Sequence, residues 1–388
     1  MGLPINYSVI SLAIRWKSTA LAVLGIGLVV TVFVGLLSMA SGFRFALRAS
    51  GSAGNAVVLE KGALSELGSS FSTTAGDSVA DDPRVARRPD GVALASPELV
   101  LVVALPRKSD GQLTNVGVRG VTPAAFFLRS GVTVIEGRRP RPGLHEIMVG
   151  RQAARRIQGI KVGSTASLLR HPFEIVGVFS DEGSAFESEV WGDFAAMGSA
   201  FNRSGTESSL TIRVREPRAL AAFDEALRAN VQYPLTLTNE REYYERQAGP
   251  LMGFLRGLAV FVGVVTGIGA VFAAMNTMYA MVAYRTREIG TLRAIGFSRG
   301  SVLTAFMLEG LLLALSGGVL GCLASLLMNG FTASTSASLG EVSFAARVTP
   351  TDLAYGLVFA AAMGVIGSLL PAAGAARLPI TSALGQQV

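Results

Sequence analysis

Four long apolar runs constrain this chain more than any other feature. Between Ser18 and Ser41 the sequence reads TALAVLGIGLVVTVFVGLLSMA without a charge, about the roughly 20 residues that a helix needs to cross a bilayer. Three more runs follow at about 257–284, 302–330 and 352–376, rich in Leu, Val, Ala and Gly. Backbone that enters lipid must satisfy its own hydrogen bonds, so each run is expected to be a helix. Residues 42–256 have instead the mixed charge and frequent Gly and Pro of a water-facing domain. The chain is therefore read as an integral membrane protein: four α-helical transmembrane spans, with a large α+β extracytoplasmic domain between spans 1 and 2.

Orientation follows from charge. The loop 285–301 carries Arg285, Arg287, Arg293 and Arg299 against one Glu288, which makes it cytoplasmic by the positive-inside rule. Both termini (1–17 and 377–388) then lie inside, the short loop 331–351 lies outside, and in a bacterium the large domain is periplasmic. The first run is too long for the roughly 7–15-residue core of a cleaved signal and reads as an anchor. The formal charge of +7 is scattered rather than striped, so nucleic acid is not an expected partner. The lone Cys322 sits in an apolar run, leaving the outer domain without a disulfide. Gly263/Gly267 and Gly317/Gly321 are GxxxG pairs suited to close helix packing. Asn276 is expected to hydrogen-bond across helices, and Glu309, costly in lipid, to pair near the cytoplasmic face.

In the outer domain AVVLEKG, GVALASPELVLVVAL, TNVGVRGV, FEIVGVFS and SSLTIRV read as strands and PRALAAFDEALRANV as a helix. Close-spaced strands at about 131–180 mark a small β-rich subdomain. GFRFALRAS and NEREYYERQAGPLMGFLRG, at the two ends of the domain, continue the spans as helical stalks; interfacial anchoring by Tyr243, Tyr244 and Arg246 is the alternative.

Two apparent catalytic motifs fail on context. Gly296-Phe297-Ser298-Arg299-Gly300 matches G-x-S-x-G but lies between membrane helices instead of after a strand. His145-Glu146 starts like H-E-x-x-H, yet Val149 occupies the second ligand position. No metal site is expected. Nor does the sequence contain G-x-x-x-x-G-K-[ST], so ATP and magnesium, if used, bind another chain.

Residues 275–321, MNTMYAMVAYRTREIGTLRAIGFSRGSVLTAFMLEGLLLALSGGVLG, resemble the permease subunits of MacB/FtsX/LolC-type ABC transporters. The matching positions are Arg285, Thr286, Glu288, Ile289, Gly290, Leu292, Arg293, Ala294 and Gly296, then Glu309 and Gly317 to Gly321. The C-terminal PAAGAARLPITSAL and the order of one span, outer domain and three spans are similar as well. The resemblance implies no enzyme on this chain, whose start at the first membrane helix reads as the split form with a separate ATPase subunit. It also implies a second permease chain (identical or sister), with a periplasmic adaptor as a further partner. Movement of the outer domain would be driven by ATP hydrolysis, for export or extraction of a substrate. The alternative is FtsX-like signalling to cell-wall hydrolases. TREIGTLRAIG would be the coupling helix: Arg285, Glu288 and Arg293 would orient it, and Ile289, Leu292 and Ile295 would fill a groove on the ATPase.

Overall fold

A computed structural model of the chain describes residues 16–337 and 340–379; the N-terminal segment up to residue 15 and the tail from residue 380 lie outside the described residues. In chain order, α1 (Trp16–Ser50) leads to β1 (Asn55–Glu60), β2 (Phe71–Ser72) and α2 (Thr73–Ala80). Then come β3 (Ala95–Pro106), β4 (Leu113–Val121), α3 (Ala125–Leu128), β5 (Thr133–Gly137), β6 (Glu146–Gly150), α4 (Arg151–Arg156), β7 (Thr165–Leu168) and β8 (His171–Ser180). The outer domain closes with β9 (Val190–Asp193), α5 (Phe194–Ala200), β10 (Thr206–Glu207), β11 (Ser209–Arg213), α6 (Leu220–Ala229) and β12 (Leu235–Asn239). After it stand α7 (Glu240–Tyr284), α8 (Thr286–Ala294), α9 (Arg299–Leu326), β13 (Thr332–Ala337), β14 (Gly340–Ala345) and α10 (Pro350–Arg377). Two compact units result: a membrane unit up to Ser41, with Leu251–Phe331 and the chain from Ala346, and an outer unit of Gly42–Pro250 with Thr332–Ala345.

The membrane unit holds four helices long and apolar enough to span, within α1, α7, α9 and α10. Lipid is as apolar as leucine, so close packing rather than exclusion of water must hold such helices together. Glycine permits it here. Gly317 lies against Val23 and Ile26, and Gly321 against the Gly27 carbonyl and Val30, which draws α9 onto α1. Thr31 Oγ1 reinforces the contact by donating to the Gly27 and Gly321 carbonyls at 2.8 and 3.2 Å. Gly263 and Gly267 meet Phe33, Phe359 and Met363. Both GxxxG pairs thus serve packing within the chain. Thr349 and Asp352 form a capping box that starts α10, with Pro350 in its first turn, and Asp352 also accepts from Ser41 Oγ at 3.1 Å.

In the outer unit ten strands make one sheet: β7 pairs β8, and the rest run in the order β12-β1-β11-β3-β4-β9-β6-β8-β5. The anticipated strands are β1, β3, β4, β8 and β11. One core lies under β1, β11 and β12, where Val58, Leu210, Ile212, Leu235 and Leu237 pack on Phe223 and Leu227 of α6. A second lies under β3, β4, β6 and β8, around Leu99, Val118, Ile147, Phe173 and Ile175. The β-rich segment expected at about 131–180 supplies β5 to β8 at one end of the sheet. The structure adds what the sequence reading missed: part of the loop 331–351 is a hairpin, β13–β14, that belongs to the outer unit. Arg156 and Ser188 hold Ser343, and Phe43 meets the Phe344 ring edge-on at 5.2 Å. Tyr243 and Tyr244 are buried in the outer unit, so these rings are not interfacial anchors.

Candidate coupling site

One end of the membrane unit is built around α8. Thr286 Oγ1 closes the end of α7 by donating to the Val282 and Ala283 carbonyls. At the other end Gly296 adopts φ +108°, a left-handed value that glycine takes without penalty. The Gly296 and Phe297 amides then donate to the Arg293 and Leu292 carbonyls at 3.2 and 3.1 Å, a Schellman closure. Ser298 caps α9 by accepting from the Ser301 amide at 3.1 Å, so the serine of the G-x-S-x-G pentapeptide is a helix cap.

Three side chains fasten α8 to this unit. Arg285 bonds Glu288 at 2.9 Å and Glu309 at 3.0 Å; Glu309 is buried, and the guanidinium also lies over the Phe306 ring. Arg293 donates to the Ala376 and Leu378 carbonyls at 3.1 Å each, where the end of α10 presents unsatisfied acceptors. Ile289, 2% exposed, packs with Met278, Met281, Val302, Phe306 and Ala372, and Gly290 is buried beside it. The expectation that Ile289 fills a partner's groove is therefore corrected: the inward face of an amphipathic helix is spent on its own chain. Leu292 is half-buried, and what faces outward is Arg287, Glu288, Thr291, Ala294 and Ile295 with Gly296. Glu309 is the ion-pair partner expected of it. Asn276, expected to bond across helices, is exposed and has no hydrogen bond within the described residues.

A second site went unnoticed in the sequence. In the outer unit Arg119, fully buried, bonds Glu66, Glu98 and Glu189 at 2.8, 2.6 and 2.8 Å. Arg129 bonds Glu98 and Glu240 at 2.5 and 3.0 Å. Glu240 opens α7, and its other oxygen accepts from the Ser52 amide and Asn55 Nδ2. Trp191 Nε1 and Ser209 Oγ supply further donors to Glu189 and Glu66. Burial alone would raise the Glu66 carboxyl, but the Arg119 charge and hydrogen bonds outweigh it and hold it below its ordinary range. Burial would likewise lower Arg119, and the carboxylates of Glu189 and Glu66 keep it well above its usual value. The signal was present in the sequence: Glu98 and Arg119 interrupt otherwise apolar strands, PELVLVV and VGVRGV, and a charge there must find a buried partner.

Comparison with known proteins shows the family to which the chain belongs. The family description MacB-like periplasmic core domain matches residues 19–230, and FtsX-like permease C-terminal matches residues 260–380. The macrolide export ATP-binding/permease protein MacB of Shigella sonnei (strain Ss046) is 30% identical over 238 residues, covering 58% of this chain and 35% of that protein. Its namesake in Escherichia coli (strain K12) is 29% identical over the same length and shares. The match thus spans about a third of the length of these relatives, which carry ATP-binding and permease functions on one chain. Among solved structures, the periplasmic region of MacB from Actinobacillus actinomycetemcomitans is similar with a TM-score of 0.39 and 12% identity, covering 52% of this chain and 94% of that one. With the periplasmic core and the permease region on one chain in that order, this protein belongs to the MacB/FtsX family of ABC transporter permeases.

Proposed function

We propose that this chain is the permease half of a mechanotransmission machine. A separate ATPase subunit docks on the outward face of α8, and its ATP-driven closure is passed along α7 to the periplasmic unit. The observation that carries the reading is that α7, one helix of 45 residues, runs along the chain from the outer unit into the membrane unit. Its first residue, Glu240, is locked into the buried ion cluster, and its last, Tyr284, precedes the Arg285 that holds α8. A helix held at one end and linked to a docking helix at the other passes displacement along the chain without a channel through the bilayer.

The outward residues Arg287, Glu288, Thr291, Ala294 and Ile295 offer a small mixed surface suited to a groove on an ATPase. Both termini lie in the cytoplasm in this reading. Two permease copies and two ATPases form the unit, a periplasmic adaptor completes it, and the cargo is a periplasmic or membrane-embedded compound for export or extraction. ATP and magnesium are held by the ATPase alone. The test is cross-linking in nanodiscs with a candidate MacB-type ATPase, in a Cys322→Ala background. Thr291→Cys and Ala294→Cys are expected to cross-link to the ATPase, and Leu113→Cys, in the outer unit, is not. Absence of cross-links from both α8 positions would overturn the docking assignment.

A further inference from the structure

A cavity of about 540 Å³ lies in the outer unit, lined by no residue of the coupling site and by no charge of the ion cluster. It is built on the β12 edge of the sheet. Side chains alternate along a strand, so Val58, Leu235 and Leu237 enter the core with α6 while Leu59, Thr236 and Thr238 line the cavity. The first turns of α7 and the turn at Lys61–Leu64 supply most of the remainder. These parts are tied together. The Lys61 amide donates to the Pro234 carbonyl and the Ala63 amide to the Glu60 carbonyl, each at 3.0 Å, around Gly62 at φ +94°. Gln247 Nε2 reaches from α7 to the Leu64 carbonyl at 2.7 Å, and Tyr243 OH accepts from the Glu66 amide at 2.9 Å. The cavity is thus formed before any ligand arrives.

Its charge is of one sign. Lys61, Arg228 and Arg246 line it, and no carboxylate is among its lining residues. Lys61 is exposed and has no ion-pair partner among the described residues. Arg228 and Arg246 hold Asp224 and Glu242, one turn back on their own helices, at 2.9 and 3.3 Å. Such exposed pairs are weak and readily exchanged. Arg228 also donates to Thr236 Oγ1 at 3.1 Å, and the Thr238 hydroxyl has no partner among the described residues. The same cavity carries apolar surface from Ala63, Leu64 and Pro250. Leu64 is 90% exposed, although the turn that bears it is tied down, and covering it would be favourable.

We infer that this cavity binds an amphiphilic anion: a phosphate or carboxylate head held by Lys61, Arg228, Arg246 and the Thr238 hydroxyl, on an apolar body that covers Ala63 and Leu64. Convergent cations with a hydroxyl donor match the acceptor oxygens of such a head. A bare inorganic anion leaves Leu64 in water, and a neutral apolar molecule leaves Lys61 without a counter-charge. The head and body are offered alike by a phospholipid and by a soluble organic phosphate or carboxylate. The site stands whether or not α8 docks an ATPase.

Lysine acetylation read by mass spectrometry, on the full chain in phosphatidylcholine nanodiscs, tests this with the exposed Lys161 as internal reference. Hexyl phosphate is expected to slow acetylation of Lys61 about 10-fold once about nine-tenths of the sites are filled and to leave Lys161 unchanged, with inorganic phosphate protecting far less. Arg246→Gln should raise the hexyl phosphate concentration required by about 10-fold, the low end for a hydrogen bond to a charged group. Thr238→Glu, which adds a carboxylate to the lining, should abolish protection. Where hexyl phosphate protects, discs made with phosphatidylglycerol separate the two sources: Lys61 already protected in them assigns the site to a lipid headgroup, and Lys61 unprotected assigns it to a soluble anion. No slowing at Lys61 in either arm, equal slowing at Lys61 and Lys161, or protection unchanged in both variants would overturn the inference. Protection by inorganic phosphate as strong as by hexyl phosphate would overturn its apolar half.

Discussion

Replacing Glu240 with alanine removes four contacts from the start of α7. Two go to Arg129, from Nη2 at 3.0 Å and Nε at 3.2 Å, and two come from the Ser52 amide at 3.0 Å and Asn55 Nδ2 at 2.9 Å. Breaking a buried ion pair by removing one partner costs about 3–5 kcal/mol. Arg129 keeps Glu98 and Thr211, so the cost falls at the low end, about 3 kcal/mol. At about 1.4 kcal/mol per tenfold, local opening of this region should become roughly 100-fold more frequent. Hydrogen exchange followed by mass spectrometry on the full chain in nanodiscs reads this directly. Peptides from 50–56 and 240–248 should exchange faster, peptides from β6 and β8 should not change, and Glu240→Gln should fall between. The cluster holds two guanidinium groups, Arg119 and Arg129, among four carboxylates, Glu66, Glu98, Glu189 and Glu240. Slower exchange in Glu240→Ala would therefore mean that repulsion among carboxylates outweighs these hydrogen bonds, and the account of α7 as held at its start by Glu240 would fail.

Three further outcomes follow from the same geometry. Glu207 is buried near Asp77, one oxygen lacks a partner, and burial followed by the Asp77 charge pushes its carboxyl up to about 8. The folded state then holds a proton that the unfolded chain has released, so stability is complete below the ordinary glutamate range and is lost as pH rises towards 8, by about 1.4 kcal/mol per pH unit. Thermal unfolding followed by the buried Trp191 should show Glu207→Gln outlasting the native chain at pH 8 and converging with it near pH 4; parallel curves would refute this. Arg285→Ala removes an ion-pair partner of the buried Glu309 and should destabilise the membrane unit by about 3 kcal/mol, whereas Arg285→Met with Glu309→Leu should recover much of the loss, as a thermal-shift series in detergent would reveal. Ile289→Asp should lower thermal stability by several kcal/mol by burying a charge in the α8 core, while Ile295→Asp, at a position 72% exposed, should leave it unchanged; equal losses would place both side chains inward.

The membrane architecture was legible because lipid imposes a simple rule, and length and apolarity alone locate the four helices. Gly263, Gly267, Gly317 and Gly321 could be read as packing residues, though not which helices they join, since a GxxxG pair does not encode its neighbour. Period-two patterning revealed β3, β4 and β8, but the sheet order, with β9 between β4 and β6, depends on contacts far apart in sequence. The hairpin β13–β14 was missed because its sequence TASTSA and GEVSFA is short and weakly apolar. The motif around α8 drew attention to that helix, while the inward turn of Ile289 could not be seen: a nine-residue helix with apolar residues on more than one side does not declare which of them its own chain will cover. The ion cluster was the costliest oversight, since a lone arginine, Arg119, in the apolar strand VGVRGV was signal enough.

Stimulation of a candidate MacB-type ATPase by this chain in lipid nanodiscs tests the central claim most directly. The account predicts that the native chain raises ATP hydrolysis, and that Arg287→Glu with Ile295→Asp abolishes the rise while thermal stability is retained. Full stimulation by that variant would contradict it.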